Sequence, residues 1–340
     1  MPVQNGKPQG TPQLVKSDVG PFYPLGLTRS GALYYGVKVG GPDIYVVPFD
    51  FSAGKLLAPA SAVTTQFMGS NRTPDWSPDG KYLAYVTQDQ KSKKANLLTI
   101  HSMETGVLRQ LHPRLSYIQW PRWSPDGAAF LAFGIDLKGR PGIYRIDAQT
   151  GDAAVLVAVE NSAKVQRNIQ WAPDGRRIYY GLQQQTGETS AGETAIIERD
   201  LVSGKDRELF RKNDIRWQSL SVSPDGRSIS VITAGKSDPV LSVIPVNGGA
   251  PREVLRKADL CPGFTAWTPD SQQILLSCRK EIWQIPVSGG AVKKVNIGLE
   301  DMRGIRVQPG GNQLVFFKST SNPDEIWTLE NFRVPLTAKK

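Results

Sequence analysis

Arg72, Gln119, Arg167, Gln218 and Arg303 occupy one and the same point of a repeating pattern, each four residues before the residue that leads into a short turn. Tyr23 and Gly263 take that point in two further copies. Guanidinium groups bind carboxylate or phosphate through two parallel hydrogen bonds, so arginines and glutamines gathered at one place would form a donor-rich, anion-attracting ring. The alternative is that these arginines pair with neighbouring carboxylates or face water. The rest of the chain offers little chemistry. Its two histidines, His101 and His112, are too few for a histidine-built metal site. There is no Gly-x-Ser-x-Gly elbow and no EF-hand-type acidic loop. Neither a catalytic set nor a metal or cofactor is expected.

The turns behind this pattern are Ser77-Pro78-Asp79-Gly80, Ser124-Pro125-Asp126-Gly127, Ala172-Pro173-Asp174-Gly175 and Ser223-Pro224-Asp225-Gly226. Weaker copies are Thr28-Arg29-Ser30-Gly31, Thr268-Pro269-Asp270-Ser271 and Gln308-Pro309-Gly310-Gly311. Their fourth residues fall at 31, 80, 127, 175, 226, 271 and 311, spaced 49, 47, 48, 51, 45 and 40 apart. Proline pre-sets φ at the second position, aspartate suits the third, and glycine supplies the positive φ of a tight reversal. The turn aspartates are expected to accept hydrogen bonds from nearby backbone amides. After each turn comes an apolar run such as Tyr82–Val86 or Leu314–Phe317, then a third strand such as Ile143–Ile146, Glu281–Ile285 or Glu325–Leu329, then a short fourth.

A period in the forties with strands in every unit is the signature of a β-propeller. Seven turns and four antiparallel strands per unit predict an all-β, seven-bladed ring, with residues 1–340 as a single domain. Residues 21–340 would hold the seven blades. Residues 1–20 would supply the strand that closes the last blade, at Pro12-Gln13-Leu14-Val15-Lys16, with Phe332–Leu336 as the alternative closing strand. Closure removes an open sheet edge. The opening Met1–Gly6 reads like Ile244–Gly249 and Ile285–Gly290, the tails of third strands, which leaves open whether a further domain precedes it.

With 41 Lys and Arg against 31 Asp and Glu, the chain carries a net charge of +10. The basic residues are scattered, and their densest group, Lys91-Ser92-Lys93-Lys94, reads as a solvated loop. Without zinc spacing, a basic helix or an RNA-binding strand pattern, no nucleic-acid partner is expected. No run of about eighteen apolar residues is present, so no membrane insertion is expected. Trp76, Trp123, Trp171 and Trp267 share one repeat position and are expected to pack between blades. Trp283 and Trp327 share a third-strand position, which leaves Trp120 and Trp217 unassigned by the repeat. Cys261 and Cys278 flank the sixth turn, where antiparallel pairing brings them opposite each other. A disulfide is sterically open to them, while two buried free thiols are the state expected.

The Trp-Ser-Pro-Asp-Gly-Lys-x-Leu-Ala-Tyr pattern of residues 76–85, with its Ile-Tyr and Ile-Trp third strands, resembles the TolB-like, WD-repeat-like propellers of bacteria. The resemblance covers nearly the whole chain. It implies the fold firmly and the function loosely, since such propellers include protein-binding modules, sensory domains, gating propellers of prolyl peptidases and some polysaccharide lyases. The expected role is a non-enzymatic binding, scaffolding or sensory module of a larger bacterial protein, cytoplasmic or periplasmic. Its partner would be a protein or a small anionic ligand held at the channel mouth by Arg72, Gln119, Arg167, Gln218 and Arg303. The alternatives are a channel-sited lyase or hydrolase for an acidic carbohydrate, and a gating propeller of a prolyl-peptidase-type protease.

Overall fold

The computed structural model describes residues 3–4, 7–8, 22–29, 32–37, 42–63, 71–88, 95–159, 163–185, 192–234, 238–261, 263–319 and 325–330. The chain forms two compact units, Gly41–Ser319 and the two ends, residues 1–40 with 320–340, where the sequence suggested one domain. Among the described residues all regular structure is strand, and no helix is long and apolar enough to cross a membrane.

Within Gly41–Ser319 the strands make six antiparallel blades. The first runs Asn71–Trp76, Tyr82–Gln88, Ala95–Ser102, Leu108–Leu111, and the second Leu115–Trp123, Ala129–Asp136, Pro141–Asp147, Ala153–Ala158. The third is Ala163–Trp171, Arg177–Gln185, Gly192–Asp200 and the start of the long strand Asp206–Val222, whose end opens the fourth blade. The fourth continues with Ser228–Ala234, Val240–Pro245 and Arg252–Arg256. The fifth is Thr265–Trp267, Gln273–Cys278, Glu281–Pro286, Lys293–Asn296. The sixth joins both ends of the unit: Met302–Val307, Gln313–Ser319, then Pro42–Asp50 with Lys55–Leu56 and Ser61–Ala62 at its edge.

Each second strand is sandwiched between two neighbouring blades, so it is apolar on both faces; Leu83 to Thr87 are all buried. Six apolar clusters form in consequence, one at each junction. Val86 and Leu98 meet Ile118 and Phe130; Leu131 and Ile143 meet Ile178 and Tyr180; Tyr179 and Ile196 meet Ile229 and Val231. Ile232 and Leu241 meet Trp267 and Ile274, and Leu275 and Ile282 meet Leu314 and Phe316. The last cluster, Ile44 and Val315 against Trp76, Leu83 and Tyr85, joins the sixth blade back to the first. The ring is closed.

Seven blades were expected, and this unit has six. The difference lies in one strand. Gln313–Ser319 pairs with Pro42–Asp50, from Gln313 opposite Pro48 to Ser319 opposite Pro42, not with Glu325–Leu329. Glu325–Leu329 instead pairs with Leu33–Val37, which pairs with Phe22–Leu27, in a three-stranded sheet of the other unit. The exchange follows burial. Ile44, Val47 and Phe49 are fully buried beside Gln313–Ser319, whereas Ile326 and Trp327 remain 68% and 48% exposed. Each large apolar side chain withdrawn from water contributes about 1.5–3 kcal/mol. Within Gly41–Ser319 closure thus comes from Pro42–Asp50, in third place of the sixth blade. Pro12–Lys16, Phe332–Leu336 and Lys91–Lys94 lie outside the described residues.

Cys261 and Cys278 are disulfide-bonded, with Cα atoms 5.3 Å apart, which corrects the expectation of free thiols. Cys278 sits in the cluster with Trp267, Ile274 and Trp283, so neighbouring packing holds the pair in bonding range. The 17-residue separation implies about 3 kcal/mol of stabilisation through the unfolded chain. Cys261→Ala with Cys278→Ala is expected to lower stability by that amount in urea unfolding, and dithiothreitol should lower the wild-type midpoint but not that of the double variant.

Candidate functional site

The turns between first and second strands form a collar at one mouth of the ring. Gly127 lies over Pro78, Gly175 over Pro125 and Gly226 over Pro173, while the side-chain amide of Gln308 donates to the carbonyl of Gly80 at 2.9 Å. The turn aspartates accept as expected: Asp79 Oδ1 from the Ser77 hydroxyl at 2.6 Å and the Lys81 amide at 3.1 Å, and Asp126 Oδ1 from the Ser124 hydroxyl at 2.5 Å and the Ala128 amide at 3.0 Å. The hydroxyl bonds are the first cause holding both carboxyls below their ordinary range. A depressed carboxyl contributes stability above its unfolded pKa and loses it as pH falls through the folded value. Ser77→Ala with Ser124→Ala should therefore lower stability most at pH 7, with the loss shrinking as pH falls through the carboxylate range, and so move the acid-unfolding midpoint, read by tryptophan fluorescence, to higher pH.

Beneath the collar the inner strands present Asp75, Arg122, Gln170, Ser221, Ala266 and Arg306, one per blade, each two residues before its turn. All six line a cavity of about 420 Å³, rimmed by the turn prolines Pro125, Pro173, Pro224, Pro269 and Pro309. Trp123, Trp171 and Trp267 stand between them. Two of these indoles latch blade to blade: Trp171 Nε1 donates to the Arg122 carbonyl at 3.1 Å and Trp267 Nε1 to the Ser221 carbonyl at 3.0 Å. The repeat tryptophans do pack between blades, and three of them also flank the cavity.

The polar centre is Asp75 between two arginines. Asp75 Oδ1 is 3.5 Å from Arg306 Nε and 3.9 Å from Arg122 Nη1, and Oδ2 accepts from the Trp123 amide at 2.9 Å. Arg122 Nη1 also donates to the Pro121 carbonyl at 2.7 Å, and Arg306 Nη1 donates to the carbonyls of Ile305 and Thr265. Arg122 and Arg306 are only 3% and 8% exposed. Burial, with Arg306 adding repulsion, pulls the Arg122 guanidinium down to about 9 against the pull of Asp75; Arg306 is lowered by burial in the same way. Burial also raises Asp75, opposed by both arginines. Arg122 Nε, Arg306 Nε and Arg306 Nη2 find no hydrogen-bond acceptor among the described residues.

Next to the Arg122 guanidinium lies an aromatic pair. Each of several inner strands breaks register before its polar residue, between Arg72 and Asp75, Gln119 and Arg122, and Arg303 and Arg306. Inside these bulges Thr73, Trp120 and Gly304 take left-handed backbone, with φ of 55°, 58° and 69°. That geometry throws the Trp120 ring to Phe264 of the fifth blade, on the opposite side of the ring, with centroids 4.8 Å apart. The Arg122 guanidinium lies 5.9 Å above the indole. Gly304 leaves the necessary space, since a Cβ there would come within 2.8 Å of Phe317.

Of the five residues singled out from the sequence, Arg72, Gln119 and Arg303 lie on the far side of these bulges. Arg72 is half-buried opposite Val86, its Nη2 3.5 Å from Gln88 Oε1; Gln119 pairs with Phe133; Arg303 is exposed, 3.7 Å from Asp301. Arg167 and Gln218 are in the inner strands of the third and fourth blades, with their side chains outside the described residues. Of the three whose side chains are described, Arg72, Gln119 and Arg303, none lines the cup. The repeat pattern read three residues further along would have found Asp75, Arg122 and Arg306; strand alternation alone cannot, because the bulge inserts residues. Trp120, unassigned by the repeat, is a buried structural plug, and the Trp217 side chain is not described. His101 and His112 both belong to the first blade's outer half, away from the cup. Among the described residues no three His, Cys, Asp or Glu side chains gather as metal ligands.

A family model for the TolB beta propeller domain matches residues 34–269. The chain belongs to that family. TolB-type relatives extend the match: the Tol-Pal system protein TolB of Francisella tularensis is 28% identical over 57% of this chain and 41% of its own length. An uncharacterized peptidase of Bacillus subtilis is 28% identical over 60% of this chain and 29% of its own. This TolB-family chain therefore spans less than half the length of these curated relatives. Among solved structures, a putative TolB from Agrobacterium tumefaciens superposes with a TM-score of 0.65 at 17% identity, covering 83% of this chain and 99% of that one. An oligogalacturonate lyase from Vibrio parahaemolyticus gives 0.51 at 10% identity, covering 91% and 96%, a likeness of fold alone.

Proposed function

We propose that the ring is a binding module with no catalytic step of its own, and that it takes a segment of a protein partner at the turn-side mouth. The observation that carries this reading is the cup itself: a recess open at the collar, walled by tryptophan and proline, with a fixed polar centre at Asp75, Arg122 and Arg306. Concave sites with apolar walls and a few converging polar groups are where ligands bind. A Tol-Pal system protein among the relatives supports a protein partner. A scaffolding or sensory role within a larger protein belongs to the same proposal. So does a lesser anion-attracting role for Arg72, Gln119, Arg167, Gln218 and Arg303 at the other end of the inner strands.

Peptidases among the relatives favour a second reading, a propeller that gates a peptidase. Photo-crosslinking separates the two. A photoreactive phenylalanine at Pro125 or Pro173 on the collar should capture a discrete partner, and one at the exposed Val202 on the outer rim should not. Capture of a peptidase at the collar supports gating. Equal capture from all three positions, or cleavage of oligogalacturonate by the purified chain, rules the binding-module reading out.

A further inference from the structure

Two features inside the cup bear on the chemistry of what it holds, and they rest on the reading of the mouth as a recognition site. The first is a set of unused donors. Arg122 and Arg306 are more than nine-tenths buried, yet Arg122 Nε and Arg306 Nη2 reach no hydrogen-bond acceptor among the described residues. A buried donor without an acceptor is costly, more so when charged, and native interiors keep few of them. The second is charge. Two guanidiniums share one carboxylate, so the described residues of the recess hold one uncompensated positive charge where water screens it poorly.

We infer that the floor of the cup is a seat for one monoanionic carboxylate group. Its oxygens would accept from the guanidiniums of Arg122 and Arg306, which line the recess and keep donors without an acceptor, and its single charge balances the recess. A phosphate dianion would reverse the sign of the imbalance beside Asp75. Gln170 and Ser221 line the wall made by the third and fourth blades and offer neutral donors to the remaining lone pairs. The recess opens at the turn prolines, so the group enters head first, with the atoms that carry it pointing out through the collar. The carboxylate is either that of a small acid or one borne by a polypeptide segment.

Trifluoroacetate, followed by fluorine NMR against the whole chain, probes the seat directly. Saturable line broadening is expected, reversed by acetate at concentrations about tenfold below those needed for inorganic phosphate. Arg122→Gln or Arg306→Gln should weaken binding about tenfold or more. Asp75→Asn keeps the shape, raises the excess to two positive charges, and should tighten trifluoroacetate while letting phosphate compete; it decides the matter if the arginine variants do not fold. A short peptide with a free C-terminal carboxylate that outcompetes acetate, while its amidated form does not, assigns the group to a polypeptide; equal competition by acetate assigns it to a small acid. Broadening that never saturates, or that is unchanged by Arg122→Gln, Arg306→Gln and Asp75→Asn alike, overturns the seat. Collar crosslinking that persists in those variants would leave the binding-module reading standing while the seat falls.

Discussion

Asp75→Ala is expected to destabilise the ring by about 3–5 kcal/mol, the usual cost of removing one partner from a buried ion pair. Two guanidiniums would be left facing each other in the cup with no counter-charge, and the Trp123 amide would lose its acceptor at 2.9 Å. Guanidinium chloride unfolding at pH 7 measures it. Adding Arg306→Met removes one of the stranded cations, so the double variant should be more stable than Asp75→Ala alone, and the cycle should give a coupling of about 1–3 kcal/mol. A loss within about 1 kcal/mol of zero would mean that water already solvates the cluster.

Trp120 is the second position where a large effect is expected. Its indole is 3% exposed and spans the ring from the second blade to Phe264 of the fifth. Trp120→Ala should cost about 3–5 kcal/mol through lost contacts and the cavity left behind. The backbone adds a more particular prediction. At φ 58° a Cβ is itself strained, by about 1–2 kcal/mol, so Trp120→Gly should be the more stable of the two variants. In an ordinary strand the order would be reversed. Equal stability of the two would show that the bulge relaxes when the indole is removed.

Much of this was legible in the sequence. The turns marked each blade, because proline, aspartate and glycine at those three places have few other uses. The pairing of second and third strands followed from their apolar runs. Two things were not legible. Leu314–Phe317 could pair with either Pro42–Asp50 or Glu325–Leu329, and both segments look like third strands; only full burial of Ile44, Val47 and Phe49 chose between them. The cup was missed for a local reason. Counting back to the strand starts gave Arg72 and Arg303, whereas the bulges between Arg72 and Asp75 and between Arg303 and Arg306 shift which residues reach the channel. A charged residue two places before a turn, in three of six blades, was the available signal.

The sixth blade also imposes a timetable on synthesis. Its third strand, Pro42–Asp50, leaves the ribosome roughly 260 residues before its partner Gln313–Ser319. At about 5–20 residues per second that is a wait of about 10–50 s. Throughout it a strand carrying Ile44, Val47 and Phe49 has no native neighbour along the edge that Gln313–Ser319 will occupy, and unpaired apolar edges are where chains join wrongly. The strand that locks the finished ring is thus a liability of the nascent chain, the kind of short apolar segment that a holding chaperone covers.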